Sequence, residues 1–230
     1  MASAIGTGFG EVGPFWEDFV RDNVSDLNET VVSGASQDLT NKHGGWWRQV
    51  MGGNDSDAAL LAGERMFEAD EGFPLVFEVG VRSSVGLTTA CFLGLTDDPV
   101  ESIAVIIENE DGVLNSVAAD AVGFLLDAEA SSTGLTWQAA GVQNDVDNSL
   151  VALTEAADFA ANVTQYLRME LNPNDSGTVL FHIDGDLVAT QTSYFRSSVL
   201  FCPAFNSDDR GTAFNLDVDF LYCSAPRSLG

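Results

Sequence analysis

Apolar and polar side chains alternate with a period of two along much of this chain, the pattern of strands that bury one face. In Leu75-Val76-Phe77-Glu78-Val79-Gly80-Val81-Arg82 the odd positions are all apolar, and the other face carries Glu78, Gly80 and Arg82. Val122, Phe124 and Leu126 alternate in the same way, and Leu135 to Ala139 follows as another strand. In Val163 to Leu171 the alternation places Arg168 and Glu170 outward. Cys91 to Leu95 and Ile103 to Ile107 are short continuous apolar runs, suited to strands covered on both faces. Asp184-Gly185 between two apolar runs predicts a hairpin, because a type I′ turn needs positive φ at both central residues. The last strand, Phe214 to Tyr222, is expected to place Phe214, Leu216, Val218, Phe220 and Tyr222 on one face and Asp217 and Asp219 on the other. A single short helix is expected over Leu153 to Ala161. About ten strands separated by turns, few helices and no internal repeat predict an all-β chain folded as an antiparallel sandwich or jelly roll.

The first 50 residues read differently. Gly6, Gly8, Gly10 and Gly13 mark a flexible stretch, and Pro14 to Val20 brings in Phe15, Trp16 and Phe19. After a polar, turn-rich stretch, His43 to Val50 returns to aromatic β character. The expected organisation is an extended N-terminal arm over 1–50 that contributes the first strands, a sandwich over 51–226 and a tail over 227–230. Phe15, Trp16, Trp46 and Trp47 are the candidate interface anchors, since aromatic side chains dominate interface energetics. The alternative is that they close the sandwich itself.

Composition narrows the partners. The chain carries 35 acidic against 9 basic side chains, a formal charge of −26, and Lys42 is its one lysine. Nucleic-acid binders neutralise phosphates with clustered Lys and Arg, so direct nucleic-acid binding is excluded. Docking on anionic lipid needs polybasic segments, and no apolar run approaches the ~20 residues of a membrane span, so no membrane partner is expected. A hydrophobic share of 45% is too high for an acidic disordered tail. Met1 to Gly6 has no basic or apolar signal region, so synthesis in a host cytoplasm is expected. Cys91, Cys202 and Cys223 each sit in an apolar run and read as buried thiols, although spacing alone leaves a Cys202–Cys223 bridge open.

Catalytic patterns fail one by one. His43 and His182 are the histidines, His182 lies inside a strand, and no G-x-S-x-G nucleophile elbow occurs. Paired-carboxylate sugar hydrolysis on one strand would use E-x-D-x-x-E. Glu68-Ala69-Asp70 is followed by Phe73, Glu108-Asn109-Glu110 by Val113, and Asp217-Val218-Asp219 by Tyr222. A non-enzymatic protein without a cofactor is expected. Calcium is the one ion considered, with Asp145, Asp147 and Asn148 as weak oxygen donors in an acidic turn. Trp137 is the candidate for stacking on a sugar ring.

Three strings resemble a known family in their order. They are Tyr166-Leu167-Arg168-Met169-Glu170-Leu171, Val179 through Ile183-Asp184-Gly185 to Thr190, and Phe214-Asn215-Leu216-Asp217-Val218-Asp219-Phe220-Leu221-Tyr222. Gly63 to Gly72, Phe92 to Asp97 and Ala121 to Asp127 match upstream, so the resemblance covers about residues 60–223. It is to concanavalin-type jelly rolls, above all those in virion structural proteins of tailed bacteriophages. The resemblance implies a head decoration (cement) or minor capsid protein, with the major capsid protein and other copies of itself as partners. By analogy it implies trimers on the outer surface of the virion head. A lectin-like, carbohydrate-binding module of a tail fibre or adhesion protein is the other implied role.

Overall fold

The computed structural model describes residues 15–17, 27–40, 45–65, 67–69, 74–85, 89–98, 106–110, 113–127, 136–153, 159–172, 177–197 and 199–224. Among these described residues, nineteen strands follow in chain order. They are β1 (Phe15–Glu17), β2 (Asn28–Val32), β3 (Ser36–Thr40), β4 (Trp46–Met51), β5 (Ala58–Ala62), β6 (Phe67–Glu68) and β7 (Leu75–Ser83). Then come β8 (Thr89–Thr96), β9 (Ile107–Glu110), β10 (Val113–Ser116), β11 (Asp120–Asp127), β12 (Gln138–Gln143) and β13 (Val146–Asp147). The last are β14 (Val151–Ala152), β15 (Gln165–Asn172), β16 (Thr178–Ile183), β17 (Asp186–Gln191), β18 (Leu200–Asp209) and β19 (Phe214–Ser224).

Two large antiparallel sheets stack face to face. Sheet A runs β17-β16-β15-β7-β19-β4-β3, with β1 beside the far half of β19. Sheet B runs β13-β12-β11-β8-β18-β5-β2, with β14 on β12 and β6 on β18. The expected all-β antiparallel sandwich is what forms. Its inner core takes one face of every long strand: Leu75, Phe77, Val79 and Val81 from β7, Leu167, Met169 and Leu171 from β15, and Leu93, Phe124 and Phe205 from sheet B. At Asp184-Gly185 the backbone has φ of 52° and 92°, the positive pair that the β16–β17 hairpin turn requires.

Sheet B is buried on its outer face as well. A separate two-stranded hairpin, β9–β10, lies over that face, and Ile106, Ile107 and Leu114 pack onto Leu60, Phe92, Leu125 and Val142 in a second apolar cluster. The Phe92 ring fits there because Gly123 has no side chain: a Cβ at that position would sit 2.8 Å from two of its ring carbons.

Three expectations change. In β19 the register shifts between Val218 and Leu221, so one strand cannot keep a single alternation. Leu221 and Cys223 enter the core in place of Phe220 and Tyr222, which turn to the outer face, while Asp217 is 4% exposed. The expected helix over Leu153 to Ala161 does not extend into its described ends: Leu153 and Phe159 to Ala161 are irregular, both Leu153 and Phe159 pack in the core, and 154–158 lie outside the described residues. The boundary expected at residue 50 falls inside β4, and β2 and β3 supply an edge strand to each sheet. Those strands belong to the sandwich, whereas the glycine-rich stretch 1–14 lies outside the described residues.

Candidate binding face

The outer face of sheet A carries the exposed chemistry of the fold. Cross-strand register brings Asp38 on β3, Arg48 on β4, Asp217 on β19 and Arg82 on β7 side by side. Asp217 accepts Arg48 Nε and Nη2 at 2.5 and 2.8 Å and Arg82 Nε at 3.0 Å. Its carboxylate is buried, but each arginine keeps about a third of its side chain in solvent. The Arg48 guanidinium is held further above its usual range, chiefly by its hydrogen bond to Asp217. The Arg82 guanidinium also lies over the Trp46 ring, 4.1 Å from its centroid.

One row along the strands, the β19 bulge presents Phe220, and Tyr166 on β15 stacks with it across Gly80, ring centroids 6.2 Å apart and 21° from parallel. A Cβ at Gly80 would meet both rings at 3.2–3.3 Å, so the glycine makes the room for them. The β16–β17 turn fastens Tyr166: its N–H donates to Asp184 Oδ1 and its carbonyl accepts from the Asp184 N–H, both at 2.8 Å. Tyr166 is 51% exposed. In the next row Arg168 pairs with Glu78 across the strand and with Glu170 on its own strand. The face thus presents aromatic rings among charges, of which Asp217, Glu78 and Glu170 are each paired with an arginine.

The opposite face, over sheet B, is closed by the chain itself. Arg210, just past β18, reaches Asp208, Asp127 and Glu108 at 2.8, 2.9 and 3.1 Å, linking β18 and β11 to the β9–β10 hairpin. Asn109 adds a backbone N–H to Asp127 Oδ2 and its amide to Gln138 Oε1, each at 3.0 Å. Burial pushes the Asp208 carboxyl up to about 6 against the pull of Arg210, with Glu108 and Asp127 adding repulsion.

The residues singled out from sequence scatter. Trp137 is fully buried at 0% exposure, packed edge-on against Phe124 and Phe159, with its Nε1 donating to Gln165 Oε1 at 2.8 Å. It stacks on no sugar. Trp47 points into the core at 4% exposure and donates to Gln37 Oε1 at 3.2 Å, so it closes the sandwich and is not a surface anchor. Trp46, its neighbour on the strand, takes the outer face instead. Phe15 and Trp16 lie in β1 opposite Cys223 and Tyr222 in register, and their side chains lie outside the described residues. So do His43 and Asp70.

The calcium candidates point apart. Asp145 stands in the β12–β13 turn at φ 61°, Asp147 accepts the Ser116 hydroxyl at 2.7 Å, and the Asn148 amide donates to the Tyr194 carbonyl at 3.3 Å. A cation does sit beside Asp145, but the chain supplies it. Arg196 grips buried Asp120 through Nε and Nη2, and Asp97 and Asp145 lie within reach of its charge. Among the described residues, no group of three His, Cys, Asp or Glu side chains is arranged to hold a metal ion. All three cysteines are free and buried. The Cys202 thiol contacts the Thr96 carbonyl at 3.2 Å, and burial pushes it up to about 12.

Sequence reasoning placed Arg82, Arg168, Glu170 and Asp217 outward but missed that Phe220 and Tyr222 join them. The bulge that brings Phe220 and Tyr222 out leaves no mark in the alternation. The partners also lie far apart in the chain, 169 residues for Arg48 and Asp217.

No family model and no curated sequence matches this chain. Solved structures do match. The carbohydrate recognition domain of Emp47p shares 11% identity over 91% of this chain and 93% of its own, with a TM-score of 0.61. The β-glucanase of Bacillus licheniformis shares 13% over 94% and 100%, with a TM-score of 0.61. The potassium-bound carbohydrate recognition domain of Emp46p shares 14% over 89% and 90%, with a TM-score of 0.60. At such identities the likeness is one of fold. Two stacked antiparallel sheets, a shared inner core and these neighbours together make the chain a concanavalin A-like jelly roll.

Proposed function

We propose that the protein works by docking rather than by catalysis, as a decoration protein on the outer surface of a bacteriophage head. The observation that carries the docking reading is the state of the two outer faces. Sheet B is covered by the chain's own β9–β10 hairpin. On sheet A, Asp217, Glu78 and Glu170 are each held by an arginine, which leaves none of these three as a free acid–base pair for sugar hydrolysis. The order of motifs over residues 60–223 supports the virion setting. In that setting a rigid sandwich adds contact area between shell subunits and resists internal pressure. A charge of −26 then acts as a coat that keeps particles apart, within the roughly 8 Å reach of charges at physiological salt.

Co-sedimentation of the purified protein with phage heads that lack it tests this reading. Saturable binding and a higher temperature of DNA release are expected. Deleting residues 1–14 should lower occupancy and leave the sandwich folded, because the strands of both large sheets lie within residues 15–224. Failure of the full chain to bind heads would overturn the virion reading, and unchanged occupancy after the deletion would remove the arm from it.

One observation favours a second reading, carbohydrate binding. Exposed Tyr166 and half-buried Phe220 form an outward-facing aromatic pair beside arginine and carboxylate groups, on a fold that carbohydrate recognition domains share. A glycan array should then show saturable binding that Tyr166→Ala abolishes, and an array without binding would sink it.

A further inference from the structure

Resting on the docking reading of sheet A, we infer that its outer face receives an arginine from a partner polypeptide, seated against Tyr166 and Asp219 above Gly80. The placement of the surface aromatics is the first observation. Among the described side chains, Trp46, Tyr166, Phe220 and Tyr222 are the aromatic ones that escape burial, and all four are on this face. Such rings are enriched at interfaces, and Tyr, Trp and Arg hold most of the binding energy there. The β19 bulge gathers two of the side chains that matter. Val218 is opposite Val81 and Leu221 is opposite Val79, so Asp219 and Phe220 both oppose Gly80. A Cβ on Gly80 would lie 3.2 Å from Asp219 Cβ, 3.2 Å from the Phe220 ring and 3.3 Å from the Tyr166 ring. A carboxylate and two rings therefore border one small hollow floored by glycine backbone.

The next outward row holds a filled version of the same arrangement. There the Arg82 guanidinium lies 4.1 Å from the Trp46 ring centroid and donates to Asp217 at 3.0 Å. The planar cation stacks on the ring and hydrogen-bonds the carboxylate at once. Tyr166, Phe220 and Asp219 repeat the ring and the carboxylate without a cation bonded to them. Among the described residues, Arg82 directs its hydrogen bond to Asp217 and reaches Asp219 through its charge alone, while Arg168 is held by Glu78 and Glu170. Burial raises the Asp219 carboxyl above its ordinary range against the pull of Arg82, as expected of a carboxylate that water solvates poorly. The charge balance fixes the sign of the partner. Asp38, Asp184 and Asp219 stand beside the arginine-bound Asp217, Glu78 and Glu170, so acid exceeds Arg48, Arg82 and Arg168 on this face of a −26 chain. Another acidic surface meets like charge there, and a cationic segment meets its complement. A lysine ammonium supplies charge without a plane to lay on Tyr166, which selects arginine.

Backbone-amide NMR titration of the full chain with a tetra-arginine peptide, and with a tetra-lysine peptide of equal charge, tests this at about 0.15 M salt. Saturable shifts centred on Gly80, Tyr166, Asp219 and Phe220 are expected, with the arginine peptide bound at least about threefold tighter. Tyr166→Ala should remove that preference, whereas Tyr166→Phe, which keeps the ring, should retain it. Asp219→Asn should weaken binding of the arginine peptide about threefold or more. Both positions face outward, and unchanged amide spectra away from the site verify that each variant is folded. Shifts spread over both faces, or equal affinity for the two peptides, mean attraction by net charge alone and overturn the proposal. An arginine preference that ignores Tyr166→Ala overturns it as well. Glycan binding at this hollow with no response to either peptide overturns it in favour of carbohydrate. The titration needs no phage heads, so the two readings fail separately. Heads bound without a peptide response remove the arginine site, and a peptide response without head binding removes the virion setting alone.

Discussion

Replacing Arg210 by methionine should lower the unfolding free energy by about 3–5 kcal/mol at neutral pH. Its side chain is 12% exposed and faces Asp127 at 1%, Asp208 at 11% and Glu108 at 26%. Without the guanidinium, three carboxylates meet in a poorly solvated corner with nothing to compensate them. Asp127 and Glu108 also hold the β9–β10 hairpin to sheet B, so the loss should show first as faster amide exchange over residues 106–117. The pH dependence has a definite sign. Asp208 titrates near 6 in the folded protein, chiefly because it is buried, and at the usual 3.8 when unfolded. Its contribution to stability is therefore fully present below about 4 and is lost as pH rises through about 6. Removing Arg210, the larger of the two influences that lower this value, moves the window upward. The methionine variant should thus regain part of its deficit between pH 7 and pH 5. Urea unfolding at both pH values checks this, and equal stability of variant and parent at pH 7 would refute the role given to Arg210.

Trp137→Ala should cost about 3–5 kcal/mol, the range for deleting a large buried aromatic. The indole fills the inner core between Phe124 and Phe159 at centroid distances of 6.3 and 5.2 Å. Its loss also removes the hydrogen bond that the buried Gln165 Oε1, in a residue 3% exposed, accepts from the indole N–H. A tryptophan displayed for sugar stacking would instead change stability by no more than about 0.5 kcal/mol. Thermal unfolding separates the two roles, and a near-parental midpoint would return Trp137 to the surface.

Residues 75–82, 163–171 and 178–190 show how far local pattern reaches. Period-two alternation and the Asp-Gly turn are local consequences of pleat and φ, so the strands, their buried faces and one hairpin could be read directly. Trp46 and Trp47 mark the limit. Adjacent residues on a strand must face opposite ways, so one of the two had to be buried, but which one depends on the partner β4 finds in β19. The calcium reading of Asp145, Asp147 and Asn148 failed for a related reason. Neighbours along a turn diverge in space, and the positive charge near Asp145 comes from Arg196, 51 positions away in the numbering.

The exposed face was the least legible part. Outward Arg82, Arg168 and Glu170 were visible as polar positions in apolar strands. Their meaning as a row was not, because a row is made across strands and its members come from residues 38 to 222. The bulge at Val218–Leu221 added a second obstacle, since one extra residue reverses every later side chain on that strand.

The amino-acid sequence by itself determined an all-β sandwich, an acidic exterior and the absence of a strand-borne paired-carboxylate motif, because each depends on composition or on spacing within a single strand. Only the tertiary structure decided that the β9–β10 hairpin covers sheet B, that Trp47 and Trp137 lie inside, and that Asp217 on sheet A is buried between Arg48 and Arg82. Register and stacking set these features, joining residues far apart in the chain through hydrogen bonds and burial that no local pattern encodes.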